Sequence, residues 1–226
     1  MTITPAPVVK IATLLEWYVG HDYGNPAHAW ILDDVYYTDM TEEPDEVEVD
    51  GVSYTEEDDF DHCKSNPSTW FWVTVDSHLY IHIAGASHDP AGHTIISYKW
   101  ELYATHSPIV FGAGAFAGKY WEPRIKEGSI PEINFVTSGY HKGGTNQGFG
   151  AIKLMNGDGY FDSRLSAYVY EAKLMRVLVG HITVTAGVIA ATYANFDCVW
   201  SGWSGDISWT DDEIEVQTED LRRIRL

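Results

Sequence analysis

Four of the ten histidines, His78, His82, His88 and His93, fall within sixteen positions of a 226-residue chain. Imidazoles grouped in this way could hold zinc, which asks for three or four converging ligands with hydrogen-bonding partners behind them. His78-x3-His82 would put two rings on one face of a helix or of a straight strand. A turn ending near His78 breaks that geometry, so surface or cross-strand histidines are the better reading. Asn156-Gly157-Asp158-Gly159-Tyr160-Phe161-Asp162 spaces oxygen ligands like the start of a calcium loop. An EF-hand loop needs Gly at its sixth position and Glu at its twelfth; counted from Asn156 these are Phe161 and Ala167, so a tight turn leading into a short helical turn fits instead. Lys142–Gly150 is rich in glycine but lacks the G-x4-G-K-[ST] order of a phosphate loop. Gly202-Trp203-Ser204-Gly205 lacks the G-x-S-x-G spacing of a nucleophile elbow. Carboxylate pairs exist by number alone among 33 acids. No catalytic, cofactor-binding or metal-binding residue is assigned, and no enzyme is expected.

The charge is concentrated. Fourteen acids and no Lys or Arg lie between Asp33 and Asp61, and the whole chain carries a formal charge of −19. The remainder is only mildly negative. Long-range repulsion of phosphates argues against nucleic-acid binding. The acidic stretch reads either as a solvated hairpin with its loops or as a site for a cation or a basic partner, with Asp58, Asp59 and Asp61 the candidates for a shared cation. Cys63 and Cys198 are too few for a disulfide framework; two reduced thiols fit better than a bridge, which stays open. No apolar run reaches the length of a membrane span. The N-terminal MTITPAPVVK has neither the basic nor the long apolar region of a signal peptide, so an ordinary secretory route is not indicated.

Strand patterns dominate the elements that would position these residues. Pro7–Gly20 fits a helical stripe and a strand equally well, and its β-rich surroundings favour the strand. EVEV and VSYT alternate on either side of Asp50-Gly51, the strongest short hairpin signal. WFWVTV and LYIHIAG flank Asp76-Ser77-His78 as a second hairpin, and TIISYKWELYA follows a turn at His88-Asp89-Pro90. Gly112–Gly118, GAGAFAG, is the expected module boundary, dividing the chain into 1–112 and 113–226. Beyond it, SIPEINFVTSG, GAIKLMNG, YVYEAKLMRVLVGHITVTAGVIAA in more than one piece, and EIEVQT read as strands. Glu219–Leu226 carries acids first and arginines last, as a helix dipole prefers. Nine Trp and fourteen Tyr suit strands and interfaces. The expected fold is all-β, two small barrels or sandwiches with little helix.

Two short blocks resemble tailed-phage tail-tip and baseplate proteins, the tail hub and distal tail protein families. KYWEPRIKEGSIPEI supplies Tyr120, Pro123, Arg124, Ser129, Ile130, Pro131 and Ile133. GAIKLMNGDGYFD supplies Asn156, Asp158, Gly159, Phe161 and Asp162, with Gly180 further on. VWSGWSGDISWTDDEIEV and Thr218-Glu219-Asp220 are similar to the later strand pair and closing acidic segment. The likeness runs loosely over residues 46–220. It implies modules of tail-tube and hub type, a ring of copies around the tail axis, other tail proteins as partners, and a place in the virion after assembly in the host cytoplasm. The acidic segment is then expected on the outside of the assembly or facing its lumen. From the residues themselves, Gly157 and Gly159 should permit turns, Asp158 and Asp162 should accept backbone N–H groups, Phe161 should plug a core, and Arg124 should pair with an acid. The alternative function is a carbohydrate-binding module for host-surface glycans, with Trp70, Trp72, Trp200, Trp203 and Trp209 as its aromatic row.

Overall fold

The computed structural model describes residues 8–22, 31–33, 35–40, 42–84, 90, 92–129, 134–137, 145–148, 150–186 and 188–220. In chain order its strands are β1 Val8–Asp22, β2 Ile31–Asp33, β3 Val35–Asp39, β4 Glu46–Val49, β5 Val52–Glu56, β6 Thr69–Val73, β7 His78–His82, β8 Ile95–Ala104, β9 Ile109–Val110, β10 Tyr120–Trp121, β11 Asn134–Thr137, β12 Thr145–Gly148, β13 Ala151–Met155, β14 Leu174–Thr185, β15 Val188–Ala190, β16 Phe196–Trp209 and β17 Glu213–Asp220. Among the described residues two helices, α1 Phe60–Ser65 and α2 Tyr160–Ala167, complete the regular structure apart from a 3-10 turn at Tyr193–Asn195. The fold is all-β, and the described strand order stays open rather than closing into barrels.

The chain forms two compact units, and neither is a continuous stretch. One holds residues 1–18, 101–166 and 170–226; the other holds 19–100 and 167–169. The sequence division at 112/113 runs differently from this partition, because the first strand belongs with the last ones. β1 pairs antiparallel with β14, Val8 opposite Val184 and Trp17 opposite Met175. GAGAFAG is no linker but a folded loop inside the discontinuous unit. Phe116 is buried with its ring 5.7 Å from Trp121 and 6.0 Å from Tyr193, and Gly114, at φ +107°, packs against Tyr193. The apolar ring in that run gives the loop its anchor, which outweighs the flexibility of its glycines.

Within the unit that holds both chain ends the strands run β13-β17-β16-β14-β1, and β15 pairs with the last residues of β14, Thr183–Thr185. Strand β1 is buried without alternation from Ala12 to Trp17, the mark of a strand covered on both faces. In the 19–100 unit the hairpin at Asp50-Gly51 forms as expected. Both turn residues have positive φ, 53° and 76°, as a type I′ turn requires. Asp50 also bonds forward, its carboxylate accepting from Thr94 N–H at 2.9 Å and meeting the His93 ring at 2.7 Å. The second hairpin, β6–β7, pairs Thr69 with His82 and Val73 with His78. Its two faces serve two cores. Trp70, Trp72, Leu79 and Ile81 pack with Val47, Val49 and Ile95, while Tyr80 packs with Val35, Cys63 and Phe60 under α1.

Two expectations change. Helix α1 begins at the end of the acidic segment, where no helix was expected; Asp59 caps it by accepting from His62 N–H at 2.8 Å, as Asp does at an N-terminus. Glu219 and Asp220, read as a helix start, instead extend β17, Glu219 opposite Trp203 and Asp220 opposite Gly202. Cross-strand pairing with β16 offers these residues what an isolated eight-residue helix could not. Residues 221–226 and the turn residues His88 and Asp89 lie outside the described residues, as do Ile130, Pro131 and Ile133.

Candidate functional site

Pro123 and Arg124 follow β10 and lead the chain alongside β13. Met155 N–H donates to Arg124 C=O at 2.8 Å, and Ile125 bridges Leu154. This register sets the Arg124 guanidinium over the turn after β13. It grips Asp158 with two parallel bonds, 2.9 Å to Oδ1 and 2.8 Å to Oδ2, donates to Met155 C=O at 3.2 Å, and lies 3.7 Å from the centre of the Tyr160 ring. A fork-to-fork pair over an aromatic face is geometry that Arg supplies and Lys does not.

The turn itself is built from the inside. Buried Asn156 accepts from Phe161 N–H at 2.8 Å and donates its amide to Asp162 at 3.0 Å. Gly159 N–H returns to Asn156 C=O at 2.7 Å with Gly159 at φ +71°, a conformation that resists a Cβ. Asp158 Oδ1 also accepts from Tyr160 N–H at 3.2 Å. Phe161 plugs the core with its ring 5.6 Å from Tyr103. Of the residues marked in sequence, Arg124, Asn156, Asp158, Gly159, Phe161 and Asp162 therefore meet in one latch. Asp162 receives a side-chain amide rather than the backbone N–H expected of it. Tyr120 is half-exposed on β10, and Pro123 serves as the extended lead-in to Arg124.

A second carboxylate, missed in the sequence, continues the latch inward. Glu101 on β8 is buried and accepts from Arg164 at 2.7 Å, from Tyr170 OH at 2.8 Å and from Tyr103 OH. Arg164, one turn into α2, lies 4.5 Å from the centre of the Tyr160 ring. Tyr160 thus has two guanidinium neighbours, each paired with its own acid. Burial, together with the Glu101 charge, drives the Tyr103 and Tyr170 hydroxyls far above their ordinary range and raises Tyr160 to about 12. The phenols remain protonated donors, and the carboxylates hold their acceptor positions toward them and the guanidiniums. What this array does chemically is hold α2 and the turn against the sheet.

The Arg124 grip holds the exposed Asp158 carboxyl down at about 2, below the ordinary aspartate value near 3.9. A depressed folded-state pKa contributes stability that is present above the unfolded value and is lost as pH falls through the folded one. Asp158→Asn should therefore be less stable than the native chain at neutral pH. That difference should shrink as the pH is taken from about 4 toward 2. Urea unfolding at several pH values measures it; a constant gap across that range would contradict the assigned pair.

The other candidate residues have structural occupations. His82 is buried with Nδ1 2.8 Å from Cys63 C=O, while His78 at the other end of β7 faces Asp39 at 3.2 Å; His88 lies outside the described residues. Asp58, Asp59 and Asp61 do not share a ligand position: Asp59 caps α1, and Asp58 pairs with His62 at 2.8 Å. The hydrogen bond to Asp58, with the charges of Asp59 and Asp58 beside the ring, raises the His62 pKa above its ordinary value. Glu57 joins these two within 4.8 Å. Cys63 and Cys198 are both free thiols; burial pushes Cys63 up to about 11. Ser204 Oγ is buried, donates to Tyr170 C=O and accepts from Lys173 N–H at 2.9 Å. Of the five Trp in the supposed aromatic row, Trp70, Trp72 and Trp200 are buried, and they belong to different units. No helix among the described residues is long and apolar enough to cross a membrane. No protein-family model, curated protein or solved structure matches the chain.

Proposed function

We propose that this chain is a structural, non-enzymatic component of a tailed-phage tail tip or baseplate, a hub or distal-tail-ring protein assembled as a ring around the tail axis. The observation that carries the reading is the latch. The two sequence blocks that resemble the tail-tip proteins are separated by sixteen residues, and Arg124 of one grips Asp158 of the other, 34 positions further on. Residues that look like a family signature thus act as one fastening inside one unit, a role expected of structural motifs rather than of catalytic ones. The buried carboxylates support it too. Glu101 is saturated by an arginine and two phenols, and Glu16 accepts from Tyr193 OH at 2.5 Å beside Arg176. The sugar-binding alternative loses its aromatic row and is not carried further.

The test is direct. Phage particles encoded by the genome that carries this chain should contain it at a fixed, multi-copy stoichiometry, measured by mass spectrometry of purified virions and localised to the tail fraction. Particles that are infectious and lack it would end the proposal.

A further inference from the structure

Acids crowd this chain, yet residues 8–15, 102–121 and 177–196 contain no Asp or Glu. These three stretches, far apart in sequence, come together in the discontinuous unit as the start of β1, the segment after β8, and the β14–β15 hairpin. Their surface mixes exposed apolar side chains with the exposed lysines Lys10 and Lys119, and holds no acid. Val8, Val9 and Ile11 are exposed, Ile11 at 71%, as are Val110 and Val188. Contiguous exposed apolar residues on strand edges mark places where another chain pairs.

Two such edges have no partner strand among the described residues. Thr105 N–H donates to Thr13 C=O at 3.0 Å, and Thr13 N–H donates to Thr105 Oγ1 at 2.9 Å. Thr13 therefore turns its backbone polar groups away from β14, and strand alternation aims those of Ile11 and Val9 the same way. β8 has ended at Ala104, so no described strand covers that edge; the His106 ring reaches Ile11 C=O at 3.2 Å. On the far side of β14, β15 pairs with β14 alone among the described strands. Beside it runs a groove of about 460 Å³ lined by Ser107, Pro108, Ile109, Val110, Ile189 and Ala191.

We propose that Val8–Ala12 of one copy adds as a strand to the β15 edge of a second copy of this chain, with Val9 and Ile11 seated against Ile189 and the Pro108–Val110 wall. Charge selects this occupant. Two chains of −19 that meet elsewhere bring acids within a screening length of acids, roughly 8 Å at physiological salt. Here donor and acceptor are both acid-free, and the β15 edge asks for an extended segment with an edge that no described strand covers, which the same unit carries at Val8–Ala12. β1 and β15 both run antiparallel to β14, so a neighbour repeated in the same orientation adds its β1 parallel to β15. The contact joins two different edges. It is heterologous, leaves each copy one donor and one acceptor, and closes into a ring when the rotation closes. It supplies the contact for the ring proposed above, and rests on that reading only for the closure.

Sedimentation of the full-length chain over a concentration series tests it. The wild type should assemble beyond a dimer. Val9→Asp/Ile11→Asp, which spoils the donor, and Ile189→Asp, which spoils the acceptor, should each be monomeric. Mixing the two should restore a one-to-one complex that grows no further, since one intact donor then meets one intact acceptor. Circular dichroism confirms that each variant is folded; at exposed positions, Val8→Asp replaces a donor variant that is not, and Val188→Asp an acceptor variant that is not. A wild type that stays monomeric, edge variants that still assemble, or a mixture that forms no complex would overturn the proposal. Assembly by a chain absent from virions would sink the tail reading and leave this interface standing; a virion protein that stays monomeric would do the reverse.

Discussion

Glu101→Ala is expected to be among the most damaging single changes in the chain. Glu101 is 3% exposed and serves Arg164, Tyr103 and Tyr170 together. Removing it leaves a largely buried guanidinium without its counter-charge and two buried hydroxyls without their acceptor. Breaking a buried pair from one side costs about 3–5 kcal/mol, which for a chain of this length lowers the thermal midpoint by about 10 °C. Glu101→Gln keeps an acceptor for the phenols and should lose about half as much. Thermal unfolding followed by tryptophan fluorescence would show the order native, Gln, Ala. Equal stability of Ala and native chains would mean that the network does not hold α2.

The second large effect concerns space. A Cβ at Gly202 would stand 2.3 Å from Glu219 C=O and 2.4 Å from the Trp200 ring, and one at Gly180 would stand 2.5 Å from Asn195 C=O and 2.7 Å from the Phe196 ring. Neither glycine has a positive φ, so the demand is for close approach rather than for an unusual backbone. A backbone carbonyl cannot swing aside as a side-chain tip can. Gly202→Ala and Gly180→Ala should each cost about 3 kcal/mol, the upper end of overpacking penalties. Gly112→Ala, which meets nothing within 4 Å, is the control and should be near neutral. Chemical denaturation of the three variants decides it; a Gly202 variant as stable as the Gly112 control would refute the crowding.

Much of the β structure was legible because its signals are local. Asp50-Gly51 dictates a turn whatever lies elsewhere, and the strand-rich residues of WFWVTV and LYIHIAG on either side of a turn signal a hairpin. Gly180 could be singled out by resemblance, yet its reason, the carbonyl of Asn195, is visible only across strands. Helix α1 was not legible. Six residues give no apolar period, and the acids around it disguised Asp59 as one more charge in a solvated run. Glu101 carried a usable signal: one acid inside TIISYKWELYA, a strand dominated by Ile, Leu, Tyr and Trp, is rarely buried without a partner. The aromatic row failed because sequence counts Trp residues but cannot say which side of a strand meets the core. The unit boundaries escaped for a different reason. The pairing of Val8 with Val184 spans most of the chain, and no local composition records it.

That partition has a consequence on the ribosome. Residues 19–100 emerge as one almost complete unit early in synthesis, whereas β1, already made, waits for β14 until residues 174–185 have been translated. At elongation rates of roughly 5–20 residues per second, Val8–Trp17 spend on the order of ten seconds without the β14 strand they pair with. The sequence separation also makes pairing slow once both strands exist, since long loops close before their contacts stabilise anything. The nascent chain is therefore expected to be an early client of chaperones at its N-terminal end, and its yield in a heterologous host to depend more on folding helpers than on the stability of the finished protein.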